Sequence, residues 1–223
     1  MSQAPFAEAN LGMSVGDDPA AVAQNRRMLA ERLGFPEQGW AWLHQVHGAT
    51  VIAGEQHTRE EQARGDAPKA DAAFTARPGV PLVVQTADCA PIALATDDAI
   101  AVVHAGWPGL VAGVIPKAVA RLRDVGHGEV RAALGPCVHA CCYQFGRAEL
   151  DRVVATLDES VEAHTSAGDL ALDIPAAVRV ALTRAGVEHV DDAGVCTYTS
   201  PDHFSYRRDG RTGRQALVAV IDT

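Results

Sequence analysis

The stretch VVQTADCAPIALATDDAIAVVHAGWPG, residues 83–109, decides the fold because it contains short apolar runs separated by turn residues. These runs, rich in valine, isoleucine and alanine, predict β-strands at residues 82–86, 92–96 and 100–104. Their nearly continuous apolarity is typical of strands that are covered on both faces. Cys89 and His104 interrupt it at strand ends. We therefore expect a thiol and an imidazole to meet at one edge of a sheet.

Composition and charge narrow the class of protein. With 223 residues, 48% of them hydrophobic, the chain can build a substantial core, and we predict a single domain over residues 1–223. The net charge of −9 argues against nucleic-acid partners, which bind basic surfaces. No apolar run reaches about 18 residues and the first ten residues do not resemble a signal peptide, so we predict a cytoplasmic protein without membrane association. Five cysteines without a regular framework favour reduced thiols.

Caps and breakers predict the helices. Asp18 and Pro19 begin a helix that ends at Gly34, and Asp173 begins another that ends before Gly186. The apolar side of the first helix is predicted to consist of Ala21, Val22, Met28, Leu29 and Leu33. Further helices are predicted at residues 110–125, with a kink or restart at Pro116, and at residues 149–157.

Additional strands and loops complete the predicted architecture. Strands are predicted at residues 40–43, 50–53, 71–75, 130–134 and 216–221. The segment RRDGRTGR predicts a turn, and the polar residues 55–69 predict an exposed loop. Because strands and helices alternate without a strict βαβ rhythm, the pattern favours an α+β fold with mixed sheets. The sequence contains no GxGxxG or P-loop motif, so no motif in it indicates a nucleotide cofactor.

A third candidate ligand, His47, lies in the sequence HQVHG. Two imidazoles and one thiolate form a zinc ligand set with an open fourth position, as catalytic sites have. Such a metal lowers the pKa of bound water toward neutrality. The alternative is that Cys89 and His104 are ordinary core residues. His44 would face away from His47 on a strand, so we do not expect both to bind one metal.

Three other sets of polar residues have more than one interpretation. Asp88 either orients a ligand histidine, acts as an acid–base group or caps its turn. The second set consists of Arg207, Arg208, Arg211 and Arg214. These arginines either bind an anion such as phosphate or lie at a solvated hairpin tip. The third set consists of Cys137, His139, Cys141 and Cys142. Because the sequence has no paired CxxC units, these residues are expected to form a loop that lines the site rather than a zinc knuckle.

Several motifs together resemble those of a known family. They are NLGMSVGDDP, HQVHGATV, ADAAFT, TADCAPIAL, HAGWPGL, LGPC and CTYTSPDHFSYRRDGRTGRQA, in this order. The chain is identified from them as a member of the YfiH family, also called the laccase-domain or polyphenol oxidase family. The resemblance implies a four-layer α+β fold with helices outside two mixed sheets. It also implies zinc bound by His47 in QVHG, Cys89 in TADC and His104 in HAGW, the three residues already singled out.

The resemblance further implies activity on purine nucleosides. It implies phosphorolysis of adenosine, inosine, guanosine and methylthioadenosine, together with deamination of adenosine, so the expected partners are a small-molecule nucleoside and phosphate. Whether the chain is a monomer or a dimer stays open. The expected site adds Asp88 as a proton-handling group and the substrate contacts Gln45, Trp107, Tyr143, Arg207 and Arg208. Trp107, Phe204 and Tyr206 either form an aromatic wall for a purine or pack in the core.

Departures from the family pattern leave other functions open. Pro108 stands where the family has an arginine, Gln144 replaces a glutamate, and the opening strand of the family is predicted to be missing before residue 2. One alternative is a hydrolase that edits peptidoglycan precursors, with Cys89 as nucleophile and His104 as base. Others are a copper-dependent polyphenol oxidase and a non-catalytic zinc-binding protein. Copper ranks below zinc because copper laccases need several copper centres.

Overall fold

The computed structural model describes residues 1–36, 38–56 and 67–222. The helices in these ranges are α1 (Pro19–Leu33), α2 (Trp107–Val111), α3 (Val114–Val125), α4 (Arg147–Thr156), α5 (Ile174–Arg184) and α6 (Tyr206–Asp209). The strands are β1 (Val51–Ala53), β2 (Ala72–Thr75), β3 (Leu82–Thr86), β4 (Ala90–Ala95), β5 (Ile100–Ala105), β6 (Arg131–Leu134), β7 (Glu162–His164), β8 (Leu170–Leu172), β9 (Val190–Asp192) and β10 (Gln215–Ala219). No helix in these ranges combines the length and the apolarity that crossing a membrane requires.

The strands form one large mixed sheet and two small ones. The large sheet has the order β1-β2-β5-β4-β6-β9, in which the two outer pairs are parallel and the central pairs antiparallel. β3 pairs antiparallel with β10, and β7 pairs antiparallel with β8. This mixture of parallel and antiparallel strands confirms the predicted α+β class.

Three buried clusters separate four layers. Helices α2 to α5 cover one face of the large sheet, where Ile92 of β4 packs with Leu122 of α3 and Leu182 of α5. The opposite face packs against the β3–β10 sheet through Val102 and Leu82. Alternate β3 and β10 residues point outward to α1. The order of layers is therefore α1, small sheet, large sheet and outer helices, so β3, β4 and β5 are covered on both faces as predicted.

Helix α1 begins and ends as predicted, but it buries only part of the predicted apolar side: Val22 is buried and Leu29 packs against the core. The Asp18 side chain accepts a hydrogen bond from the backbone N–H of Ala20 at 3.0 Å, and Gly34 ends the helix at φ 76°. The buried residues of the helix are Val22, Asn25 and Ala30. Met28 and Leu33, which were assigned to the apolar side, are 47% and 44% exposed. The hydrophobic residues of α1 overestimate the width of its buried face, because the helix packs on the small sheet along a narrow stripe.

Other predicted boundaries differ in instructive ways. Residues 40–43, predicted as a strand, contribute an isolated bridge between Ala41 and Leu82. The predicted helix at residues 110–125 restarts at Gly113, so that Pro116 falls in the first turn of α3, where a proline fits. The predicted turn in RRDGRTGR begins instead with the short helix α6, which Ser205 caps. Most of the predicted loop at residues 55–69 lies outside the described residues.

Candidate metal centre

The hairpin of β4 and β5 places Cys89 and His104 at one edge of the large sheet. Pro91 is opposite His104 in the antiparallel register, and Cys89 lies just before β4. His47 arrives from a loop rather than from a strand, with a positive φ of 57°. The strand argument that separated His44 from His47 was therefore wrong in its premise, although among the described residues His44 lies outside the group of metal-ligand atoms.

The three candidate ligands converge on one point. Their ligand atoms all lie within 4.8 Å of one another, and the Cys89 Sγ is 3.7 Å from the His47 Nε2. The two imidazole rings meet edge to face, with centroids 4.8 Å apart. Gly106 makes this approach possible, because a Cβ at that position would lie 2.7 Å from the His47 ring and 3.1 Å from the Cys89 Sγ.

Asp71 supports both histidines, and the sequence analysis missed it. This fully buried carboxylate is 2.9 Å from the His104 Nδ1 and accepts backbone N–H bonds from His47 at 2.9 Å and Gly48 at 2.7 Å. It therefore fixes the orientation of one ligand and the loop that carries the other. The available signal was the position of Asp71 in the apolar motif ADAAFT, since a carboxylate inside an apolar run requires partners.

The electrostatics of the group favour a thiolate. Burial disfavours the charged Cys89, but the adjacent His104 and His47 outweigh it and lower the pKa of the thiol to about 6. Burial likewise opposes a charge on His104, yet Cys89 and Asp71 raise the pKa of its imidazole to about 9. The hydrogen bonds of Asp71 with His104 and Gly48 hold its pKa below the ordinary value despite burial. A thiolate is the form of cysteine that binds metals or attacks an electrophile.

The donor set fits a zinc-type ion. Imidazole nitrogen and thiolate sulfur are the preferred ligands of Zn²⁺, and three protein ligands leave a fourth position open. His104 also bonds a carboxylate through its second nitrogen, which is the common support of a metal-binding histidine. The group therefore has the ligands, the convergence and the support of a metal centre.

Asp88 and Gln45 both act on the backbone around the metal centre. Asp88 has φ 104°, and its carboxylate accepts bonds from the Thr197 hydroxyl and the Arg207 backbone N–H, each at 2.6 Å. The amide of Gln45 bonds both the N–H and the C=O of Gln85, at 2.8 and 2.7 Å. Of the three roles considered for Asp88, this geometry favours the anchoring of its turn.

A cavity of about 1140 Å³ lies over the metal centre. Its lining includes the three candidate ligands and four of the five expected substrate contacts, Gln45, Trp107, Tyr143 and Arg207. Tyr206 and Arg214 line it as well. The Arg207 guanidinium lies 4.8 Å from the centroid of the Tyr143 ring. Pro108 also borders the cavity, at the position of the family arginine.

Two of the expected site residues face other surroundings. The Arg208 guanidinium donates to backbone carbonyls of Thr197, Tyr198, Ser200 and His203 at 2.8–3.1 Å and pairs with Asp209, so it holds a loop together. Phe204 packs on Gly213, where a Cβ would lie 2.6 Å from its ring. Among the predicted aromatic wall, Trp107 and Tyr206 border the cavity.

Fold and site together define an α+β protein with a His–Cys–His group suited to a metal. A family model described as multi-copper polyphenol oxidoreductase laccase matches residues 1–222, and the chain belongs to this family. This confirms the resemblance found in the sequence.

Relatives and solved structures agree with this assignment. A purine nucleoside phosphorylase of Streptomyces coelicolor is 42% identical, over 100% of this chain and 91% of the relative. Another, from Pseudomonas aeruginosa, is 40% identical over 99% and 89%. The structure of YlmD from Geobacillus stearothermophilus has a TM-score of 0.88 and 33% identity, covering 100% and 88%. That of YfiH from Bacillus licheniformis has a TM-score of 0.89 and 25% identity, covering 99% and 88%.

Proposed function

We propose that this chain is a cytoplasmic, zinc-dependent purine nucleoside phosphorylase. The observation that carries the proposal is the convergence of His47, Cys89 and His104 on a cavity bordered by aromatic and arginine side chains. The names of the relatives, at 38–42% identity over nearly the whole chain, give the reaction class. The donor set supports zinc as the metal.

The cavity offers a different surface to each part of the substrates. Trp107 and Tyr143 provide aromatic faces for a purine. Arg207 and Arg214 provide guanidinium groups for phosphate, in place of the arginine that Pro108 replaces. The buried hydroxyl of Thr86 has no hydrogen-bond partner among the described residues, and Thr86 is one of the residues that line the same cavity. We therefore propose that this hydroxyl bonds a ribose hydroxyl of the substrate.

In the proposed reaction, a phosphate oxygen bonds to C1′ of the ribose while the bond from C1′ to the purine nitrogen breaks. The purine leaves with the electron pair and takes up a proton. The Tyr143 hydroxyl is protonated at neutral pH and can donate a hydrogen bond to the purine, and burial, with the nearby Cys89, raises its pKa further, to about 12. A bound metal supplies Lewis-acid polarisation of a substrate oxygen.

A second candidate uses the same residues without a metal. Cys89, His104 and Asp71 stand in the order nucleophile, base and orienting carboxylate, which supports a cysteine hydrolase of the peptidoglycan-editing type. His47 favours the metal enzyme, because a cysteine hydrolase has no need of a second imidazole beside the sulfur. Two further candidate activities of the same metal centre are adenosine deamination and copper-dependent phenol oxidation.

The deciding experiment incubates protein of known metal content with adenosine, with and without phosphate. Adenine and ribose 1-phosphate that form only with phosphate support the proposal, whereas inosine formed without phosphate assigns the centre to deamination. Zinc-loaded protein that yields no product contradicts both and favours the cysteine hydrolase or a non-catalytic protein.

Two matched variants separate the metal enzyme from the cysteine hydrolase. His47→Ala is expected to lose the metal and the activity, while His44→Ala, a change in the same loop outside the ligand group, keeps the metal. If metal-free His47→Ala lacked phosphorolysis but hydrolysed a peptide substrate, and alkylation of Cys89 abolished that hydrolysis, the hydrolase would replace the phosphorylase as the proposal.

A further inference from the structure

A second group of sulfur atoms lies outside the metal centre. The Sγ atoms of Cys141, Cys142 and Cys196, here called the trithiol group, lie within 4.8 Å of one another. Cys141 is 2.9 Å from Cys142 and 3.9 Å from Cys196. Neither the cavity lining nor the proposed reaction uses any of the three. The sequence pattern places Cys141 and Cys142 together with Cys137 and His139, but it gives no sign that Cys196, which is distant in sequence, joins them.

Backbone hydrogen bonds bring the two segments of the trithiol group together. Cys137 forms a parallel bridge with Cys196, through N–H bonds from Cys137 to Val195 and from Thr197 to Cys137. Residues Ala140–Cys142 form a single 3-10 turn, and the Ser166 N–H donates to the Cys141 carbonyl at 3.0 Å. Since the main chain fixes both segments, the sulfur atoms are held near one another before any ligand binds.

The spacing suits a shared ion. With metal–sulfur bonds of about 2.3 Å, two sulfurs bound to one ion lie about 3.8–4.0 Å apart. The separation of Cys141 and Cys196 already has this value, at 3.9 Å. Cys142 needs to turn about its Cα–Cβ bond to widen its shorter distance to Cys141, and both side chains are partly exposed.

The surroundings of Cys196 favour a thiolate. Burial disfavours its charge, but backbone N–H groups of His139, Thr199 and Tyr198 outweigh it and lower the pKa of the thiol. The His139 N–H lies 3.4 Å from the sulfur. Burial and the neighbouring thiols raise the pKa of Cys141 to about 12, so a cation that binds this sulfur has to displace its proton.

We propose that the trithiol group binds one thiophilic d¹⁰ cation, Cu(I), through three thiolates. Soft sulfur ligands select Cu(I) and Zn(II), but structural zinc sites nearly always have four protein ligands. In the described part of the chain this group contains three donors, which suits three-coordinate Cu(I). Binding releases thiol protons to solvent and involves no change of oxidation state.

The bound ion would cross-link a segment that lines the cavity to a segment that supports the lining residue Asp88. Cys142 precedes Tyr143, and Cys196 precedes Thr197, whose hydroxyl holds Asp88. The site is therefore placed to stabilise the wall of the cavity without contacting a substrate.

Anaerobic titration with Cu(I) against a chromophoric Cu(I) chelator tests the proposal. The Cys89→Ser variant, which lacks a ligand of the metal centre, is expected to retain one Cu(I) per chain. Adding Cys141→Ser and Cys142→Ser is expected to abolish this binding, while Cys137→Ala, a change outside the group, is expected to preserve it. X-ray absorption of the Cys89→Ser protein is expected to show three sulfur neighbours and no nitrogen.

Two outcomes would overturn the proposal. One is Cu(I) binding that persists without Cys141 and Cys142 in protein whose circular dichroism shows an intact fold. The other is a Cys141–Cys142 disulfide, detected by mass spectrometry in protein purified without reductant, in place of the ion. Because Cys89 is absent from the tested protein, failure here leaves the proposed phosphorylase activity untouched.

Discussion

Asp71 is the residue on which both histidine ligands of the metal centre depend. Asp71→Asn replaces a carboxylate that bonds the His104 ring and three backbone N–H groups of the His47 loop. Since carboxylates that support a metal-binding histidine typically contribute 10–100-fold to metal affinity, we expect zinc affinity to fall about that much. Competition with a chromophoric zinc chelator measures the change.

A matched pair on the surface serves as the control for Asp71. Asp98 contacts the His127 Nδ1 at 2.7 Å with both side chains exposed, far from any ligand of the centre. Asp98→Asn is expected to leave zinc affinity unchanged. Equal affinities for the two variants would show that Asp71 does not position the ligands.

Thr86 tests whether an unpartnered hydroxyl on the cavity wall recognises substrate. Thr86→Val keeps the shape of a side chain that is 2% exposed and removes the hydroxyl. Loss of one hydrogen bond is expected to raise KM for the nucleoside about tenfold, with little change in stability. Thr197→Val is the contrast, because its hydroxyl donates to Asp88 and its loss is expected to lower the free energy of unfolding. A wild-type KM in Thr86→Val would remove the hydroxyl from the substrate site.

Helix α6 gives two adjacent arginines different tasks. Arg207 borders the cavity, whereas Arg208 donates to four backbone carbonyls. Arg207→Ala is therefore expected to raise KM for phosphate at least tenfold with stability retained. In Arg208→Lys, the ammonium group cannot reproduce the hydrogen bonds of the guanidinium to four carbonyls. This variant is expected to lower the free energy of unfolding by about 1–2 kcal/mol with KM little changed. Phosphate kinetics and urea unfolding distinguish the two, and an identical response of both variants would contradict the division.

The elements also show what sequence could and could not provide. Apolar runs located β3, β4 and β5, and caps located α1 and α5, because these signals are local. The pairing of β3 with β10 joins segments that are distant in sequence. Residues 40–43 form an isolated bridge rather than a strand, because only Ala41 pairs with β3, at Leu82. In the site, Cys89 and His104 followed from one hairpin, whereas the role of Asp71 depends on contacts between distant segments. The task of Arg208 depends on the conformation of the preceding loop, which places four carbonyls around its guanidinium.

At the scale of the whole molecule, the metal centre joins layers that the sequence keeps apart. Cys89 and His104 belong to the large sheet, while His47 comes from a loop that Gln45 ties to β3 of the small sheet. Asp88 connects the same edge to α6. A metal bound here holds both sheets in their native arrangement, so its binding free energy adds to the stability of the folded chain.

Metal removal is therefore expected to lower the unfolding temperature in a way that depends on Cys89. Free zinc at 100 times Kd stabilises the folded state by about 2.7 kcal/mol, or about 5–10 °C for a chain of this length. Scanning calorimetry of the Cys141→Ser/Cys142→Ser variant, with zinc or a chelator, measures this shift without a contribution from the trithiol group. Adding Cys89→Ser is expected to abolish the shift, and magnesium, which prefers oxygen ligands, is expected to produce none. A zinc-dependent shift of the same size with and without Cys89 would mean that the stabilising ion binds elsewhere.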